Sequence, residues 1–269
     1  MQAKPSPDPK SSMWAWMAHD LRFHRAQRGL TGDAVAEILN CARSSISRLE
    51  NAEAKLDDRQ AAALDRTWRT GGHFSIQLWD AQLGHDPNWH QQHLDIEARS
   101  SVIKVFEALV VPGLLQTPEY AHAVIATSGV SNVDRLVEER MSRQAILTRD
   151  GPPVLWVMIT ESVLDWPIGG PAVMRSQLAR LLEASELLNV GIRVVPRSAG
   201  AHFGVDGSFK IMSGPSGDVA YTESPGGGRL VPSAEEVRSY LLRYDRIGQQ
   251  ALPEDQSREL IERVMEMMK

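Results

Sequence analysis

A single cysteine, Cys41, stands in a chain of 269 residues. One thiol excludes an internal disulfide framework and fits a reducing compartment. No run of about 18 apolar residues occurs, so no segment reads as spanning a membrane. The first residues lack the basic n-region and apolar h-region of a secretory signal, and the chain is expected to be cytoplasmic. Nor is there the surplus of basic charge that marks many nucleic-acid binders, because the net charge is −5. That charge is unevenly spread, however. Residues 1–70 hold 11 Lys/Arg against 9 Asp/Glu, a balance of +2, while the remainder holds 18 against 25, or −7. A DNA-binding module needs positive charge only on the face that meets phosphates, so the whole-chain charge excludes little.

What is present is ordinary for a globular protein: 42 % hydrophobic and 23 % charged residues. At this length two domains are the expectation. Residues 1–13 open as MQAKPSPDPKSS, which has almost nothing to bury and is expected to be a disordered tail. Residues 14–70 read as an all-α domain of four to five short helices. Leu21, Phe23 and Ala26 lie in the first, which ends near Gly29. Thr31 N-caps a second carrying Val35, Ala36, Ile38 and Leu39. A third runs from about Ala42 to Asn51, and a fourth starts near Asp57 with Ala61, Leu64 and Trp68 on one face. Residues 71–100 read as a helical connector.

From 101 to 269 strands and helices alternate, which points to a larger α+β (mixed α/β) domain. Strands are expected at 102–108, 154–159, 192–195, 208–212 and 218–222. Helices are expected at 117–128, 132–149, 171–189, 233–247 and 254–268.

The segment Gly32–Asn51, GDAVAEILNCARSSISRLEN, carries the chemistry. A helix-turn-helix needs two helices crossing steeply through a short turn, which fixes residue types at set offsets. Ala36 is the small residue at the crossing. Asn40 tolerates the positive φ that the turn requires. Ile46 and Leu49 press inward on Val35 and Leu39. Arg43, Ser44, Ser47 and Arg48 are then left on one outward side of the third helix. Arginine chelates guanine O6 and N7 in the major groove, and serine bonds several base edges. Asn51 and Lys55 are expected at phosphates, as are the backbone N–H groups beside Thr31. The plainer alternative is a solvated surface helix, and the four offsets met together argue against it. Arg43 has no evident salt-bridge partner, whereas Arg48 has Glu50 and Glu53 within reach.

The segment 21–64 resembles the phage-repressor-like (Xre/Cro) helix-turn-helix domain, with ARSSISRLEN similar to its recognition helix. The resemblance implies base contacts from Arg43, Ser44 and Arg48. Gly32 replaces the glutamine often found there, and Ala52 replaces a frequent glycine. VFEALVVPGLLQTPEYAHAVI (105–125), ERMSRQAIL (139–147), VPRSAGAHFGVDGSFKIM (195–212) and DVAYTES (218–224) resemble the C-terminal domain of actinobacterial WhiJ-like, antitoxin-like regulators. That likeness implies a developmental or metabolic regulator, often paired with a small neighbouring protein.

Other constellations carry less. His85, His90 and His93 with Asp86 lack the ligand pattern of a zinc site. Gly226–Arg229 is not a phosphate-binding loop, and no G-x-S-x-G elbow is present. Glu161 and Asp165 follow an apolar strand but read as capping or surface residues. His202 reads as part of a loop between two strands, and Cys41 as buried and inert. Val110, Val111, Leu114 and Leu115 around Pro112-Gly113 read as core, or as part of a dimer or partner groove.

The expectation is a sequence-specific, DNA-binding transcription regulator, not an enzyme and without a cofactor. It would act as a homodimer on double-stranded operator DNA. Its C-terminal domain would bind a small, acidic partner protein or a small-molecule effector. The alternative is an antitoxin-like protein whose main role is neutralising a small partner, with DNA binding for autoregulation.

Overall fold

The computed structural model describes residues 7–83, 89–215, 217–224 and 227–268. The chain divides into two compact units, residues 1–90 and 91–269. Residues 1–6 of the expected tail, like His85, Asp86 and Gly226, lie outside the described residues.

The first unit is helical: α1 (Met13–Gln27), α2 (Gly32–Leu39), α3 (Arg43–Glu50), α4 (Asp58–Trp68) and α5 (His73–Leu83). Side chains start three of them. The Ser12 hydroxyl accepts from the Ala15 N–H, Thr31 Oγ1 accepts from Ala34, and Asp57 forms a reciprocal capping box with Gln60. Each such cap contributes about 1 kcal/mol. Leu21, Val35, Ile46, Leu64, Phe74 and Leu78 close one apolar core. Asp65 ties α5 to α4 by accepting from the N–H groups of Phe74 and Ser75, both at 2.9 Å, and from the Ser75 hydroxyl at 2.6 Å. Burial opposes ionisation of that carboxyl, but these bonds and one from Thr70 outweigh it and hold its pKa below the usual value. The segment read as a connector thus contributes α5 to the core of the first unit.

After α6 (Trp89–Arg99), the second unit runs β1 (Val102–Glu107), α7 (Pro118–Ala126), α8 (Val133–Arg143), β2 (Val154–Thr160), α9 (Ser162–Asp165), α10 (Pro171–Ala184), β3 (Val190–Val195), β4 (Phe209–Gly214), β5 (Gly217–Ser224), β6 (Gly227–Val231), α11 (Ala234–Gly248) and α12 (Glu254–Met267). The six strands form one mixed sheet ordered β3-β2-β1-β4-β5-β6. β1, β2 and β3 are parallel, and β4, β5 and β6 follow antiparallel. This is the α+β class that the alternation of elements predicts.

The sixth strand is absent from the sequence reading, because Gly227-Gly228-Arg229 looks like a loop. Gly228 is required there for a packing reason. A Cβ at that position would fall 2.2 Å from the hydroxyl oxygen of Tyr221. Val111, Leu114 and Leu115 are buried, as the core reading expects.

Register assigns the two faces of the sheet. On one, Phe106, Met158, Phe209, Ile211 and Ala220 pack against Val237, Tyr244 and Ile247 of α11. The other presents Glu107, Lys210 and Tyr221. There the carboxylate of Glu97, from α6, takes the Lys210 ammonium at 2.6 Å and the Arg143 guanidinium at 2.6 Å. His93 is buried beside it, its ring packed at a 32° tilt against that of Tyr221 with the centroids 4.3 Å apart.

Burial, followed by the neighbouring Glu223 carboxylate, pushes Glu107 up to about 7, against a hydrogen bond from Ser208 and the cations Lys210 and Arg140. An acid raised in the folded state favours folding below its unfolded value of about 4.5 and loses that advantage as pH rises through about 7. Wild-type stability is therefore expected to fall over that window by an increment missing from Glu107→Gln. Melting temperatures measured across the window check this, and parallel curves for the two proteins would reject the assignment.

Candidate DNA-binding surface

The helix-turn-helix comprises α2 and α3. Its turn depends on Asn40, which adopts φ 48° and ψ 51° and closes α2 by donating its N–H to the carbonyls of Ala36 and Glu37. The sequence reading expects this left-handed residue. Cys41 follows, half-buried rather than fully buried, and burial raises its thiol pKa.

Ile46 and Leu49 point inward, at 2 % and 5 % exposure, into the cluster holding Val35, Ala36 and Leu39. Arg43, Ser44, Ser47 and Arg48 are all exposed and share the outward side of α3. The helix opens on Ala42, which makes no side-chain cap bond. Its first turn therefore presents positively polarised N–H groups on the same end as Arg43 and Ser44, an arrangement suited to phosphate or base-edge acceptors.

Arg43 departs from the expectation of an unpaired side chain. Its Nη1 lies 3.3 Å from Asp33 Oδ2 on α2, with the two side chains 74 % and 62 % exposed. A surface pair of this kind is worth about 0–1 kcal/mol, so an approaching guanine or phosphate competes with it readily. Thr31 is exposed at the start of α2, with its hydroxyl engaged in the cap. Lys55 is exposed beyond α3, and its ammonium sits 4.6 Å from the centroid of the Trp14 ring. Asn51 is half-buried, and its Oδ1 accepts from Arg22 Nη2 at 3.2 Å.

The sequence reading missed how α3 is held. Glu50, weighed as a partner for Arg48, instead pairs across helices with Arg25. Arg25 Nε donates to Glu50 Oε1 at 2.5 Å, and Nη2 donates to Oε2 at 2.9 Å. Arg22 donates to the Glu50 carbonyl. Two arginines of α1 therefore grip the C-terminal end of α3, and its outward face is oriented by a two-pronged contact. The signal was present in Arg22 and Arg25, one helical turn apart on α1, but nothing local links them to Glu50.

Ala52, directly after α3, adopts φ 55°. A left-handed residue with a Cβ is strained where glycine is not. Ala52→Gly is expected to stabilise the protein by about 0.5–1 kcal/mol, net of the greater unfolded-state entropy of glycine. Urea denaturation reads this directly, and a lower midpoint would contradict it.

Elsewhere the weighed residues have structural partners. Glu161 Oε2 accepts from the Arg197 N–H at 2.8 Å, and Asp165 pairs with the Arg197 guanidinium at 2.5 Å. His202 Nδ1 accepts from the Gly204 N–H at 3.0 Å, and the ring meets Phe106 edge-on. Among the described residues no helix is long and apolar enough to cross a membrane.

Comparison with known proteins agrees with this division. Residues 16–73 match a family of helix-turn-helix domains, and residues 90–263 match a family described as a domain of unknown function (DUF5753). No curated protein and no solved structure matches the chain. The helix-turn-helix makes it a DNA-binding regulator. The second match covers more than half of the sequence, and the chain belongs to the DUF5753 family.

Proposed function

We propose that the protein is a cytoplasmic, sequence-specific transcription regulator that binds operator DNA as a homodimer. The observation that carries this reading is the outward quartet Arg43, Ser44, Ser47 and Arg48 on a helix whose inward residues are locked in the core. One such helix spans only a few base pairs. Genomic specificity then calls for two half-sites about one helical turn apart, which a two-fold dimer supplies. On the motifs given above, the DNA-binding segment is assigned to the phage-repressor-like (Xre/Cro) group. The C-terminal unit is assigned to the WhiJ-like, antitoxin-like regulators of actinobacteria. Its role in this reading is to bind a small protein partner or a small effector that alters DNA affinity, rather than to catalyse a reaction. The engagement of Glu161 and Asp165 with Arg197 supports a non-enzymatic role.

Selection of duplexes from a random pool by the purified full-length protein tests the proposal. A paired motif with half-sites about 10 base pairs apart, or a multiple of that, is expected. Recovery of a pool no different from the input would end it.

A further inference from the structure

We propose that the second unit binds a flat aromatic molecule bearing an acidic group at one end and a hydrogen-bond-donating nitrogen at the other, laid on Trp156. This gives the effector reading a chemical class, and it rests on that reading only in supposing that the bound molecule changes DNA affinity.

Gly191 of β3, Trp156 of β2 and Lys104 of β1 are successive cross-strand partners and point to one face. α11 covers that face farther along, over Ile211, Ala220 and Val231. Over the Gly191–Trp156–Lys104 row the cover is incomplete. Trp156 is 47 % exposed although its strand lies between two others. A cavity of about 480 Å³ opens there, bounded by this row and by Tyr244, Asp245 and Glu254. That volume lies within the range of small-molecule sites, about 300–1,000 Å³.

Ionic side chains of both signs line the cavity without being paired to one another. The Lys104 ammonium sits over the Trp156 and Tyr244 rings, 5.3 and 5.4 Å from their centroids. Among the described residues it has no ion pair and no hydrogen bond. Asp245 and Glu254 likewise have no side-chain ion pair there. Arg193, beside them, is held in place through Nε and Nη2. Its guanidinium donates to the carbonyls of Gly248, Ala251 and Leu252 and fixes the corner between α11 and α12. Tyr244 is also fixed, its hydroxyl donating to the Trp156 carbonyl at 3.0 Å.

The absence of a side chain at Gly191 shapes the acidic end. A Cβ there would lie 2.6 Å from Glu254 Oε1 and 3.4 Å from Trp156 Cδ1. The Glu254 carboxylate therefore stands close above β3, while the Lys104 side chain rises from β1 and leans over the Trp156 ring. The two strands lie two spacings apart, about 10 Å at the backbone. An indole floor with a cation reaching over it from the β1 side and a carboxylate on the β3 side suits a planar ring system that carries an acid and an N–H donor. The ring stacks on Trp156, its acid meets Lys104 and its N–H donor meets Glu254.

Equilibrium titration of the full-length protein with a fluorescent aminonaphthoic acid, its neutral amide and the naphthoic acid lacking the amine tests the site. The aminonaphthoic acid is expected to bind saturably, and each analogue at least tenfold more weakly. Lys104→Gln should bind the acid and the amide alike, Lys104→Arg should retain the preference for the acid, and Trp156→Leu should weaken all three. The ligand-side comparison on the wild type stands even if a variant fails to fold. No saturable binding at millimolar ligand, or equal affinity for acid and amide, overturns the proposal. Gel shifts with and without the acid are read separately. Binding that leaves operator affinity unchanged keeps the site and removes the effector role.

Discussion

Replacing Arg43 with alanine is expected to weaken binding to the selected operator by about 1–3 kcal/mol and to relax base preference at one position. Arg43 is the first residue of α3, and in a helix-turn-helix the N-terminal residues of the second helix reach base edges. Its side chain is 74 % exposed, and its ion pair with Asp33 spans two solvated groups, so little is lost when DNA takes the arginine over. The same contact predicts the opposite effect at its partner. Asp33→Asn should raise affinity slightly, since it removes both a competitor for Arg43 and a negative charge facing the duplex. Gel shifts at fixed salt separate these outcomes from general weakening, because a phosphate contact would weaken all sequences equally and reduce the salt dependence. Unchanged affinity and unchanged base preference in Arg43→Ala would remove the assigned contact.

Truncating Glu97 to alanine is expected to destabilise the second unit by about 3–5 kcal/mol, the largest effect of any single change considered. Glu97 is 1 % exposed and lies between Arg143 and Lys210. Burial alone would raise its pKa, but Lys210 first and Arg143 second outweigh that and hold it at about 2. Removing the carboxylate leaves two desolvated cations facing one another, which costs more than the lost attraction alone. A carboxyl depressed in this way contributes stability above its unfolded value of about 4.5, and the contribution is lost as pH falls through about 2. Chemical denaturation of wild type and variant at neutral pH measures the effect. A loss below about 1 kcal/mol would mean that the three charges are better solvated than their burial indicates.

The helix-turn-helix was legible because its determinants are local. Thr31 caps the helix it precedes, Asn40 supplies the one left-handed residue in the turn, and Ile46 and Leu49 fall at a spacing that only an inward stripe explains. Contacts between distant segments were not legible. Glu50 looked like a neighbour for Arg48 because a sequence offers only nearby partners, whereas Arg25 reaches it from another helix. Glu97 and His93 sit in α6 among polar residues, and nothing local marks them for burial. They are buried because the sheet brings Lys210 and Tyr221 underneath them. β6 escaped because period and propensity both fail for a strand that begins with two glycines, and what requires Gly228 is the Tyr221 ring of the neighbouring strand. On the parallel part of the sheet, Trp156 followed the apolar run that marked β2, and its exposure became visible only when β3 placed a glycine beside it.

The grip of Arg22 and Arg25 on the rear of α3 leaves the forward side chains little part in holding the domain together, the exposed Arg43–Asp33 pair aside. Residues 43, 44, 47 and 48 behave as interchangeable type set in a fixed block. A descendant of this protein can acquire a new genomic address through a few substitutions there, while its stability stays where it was.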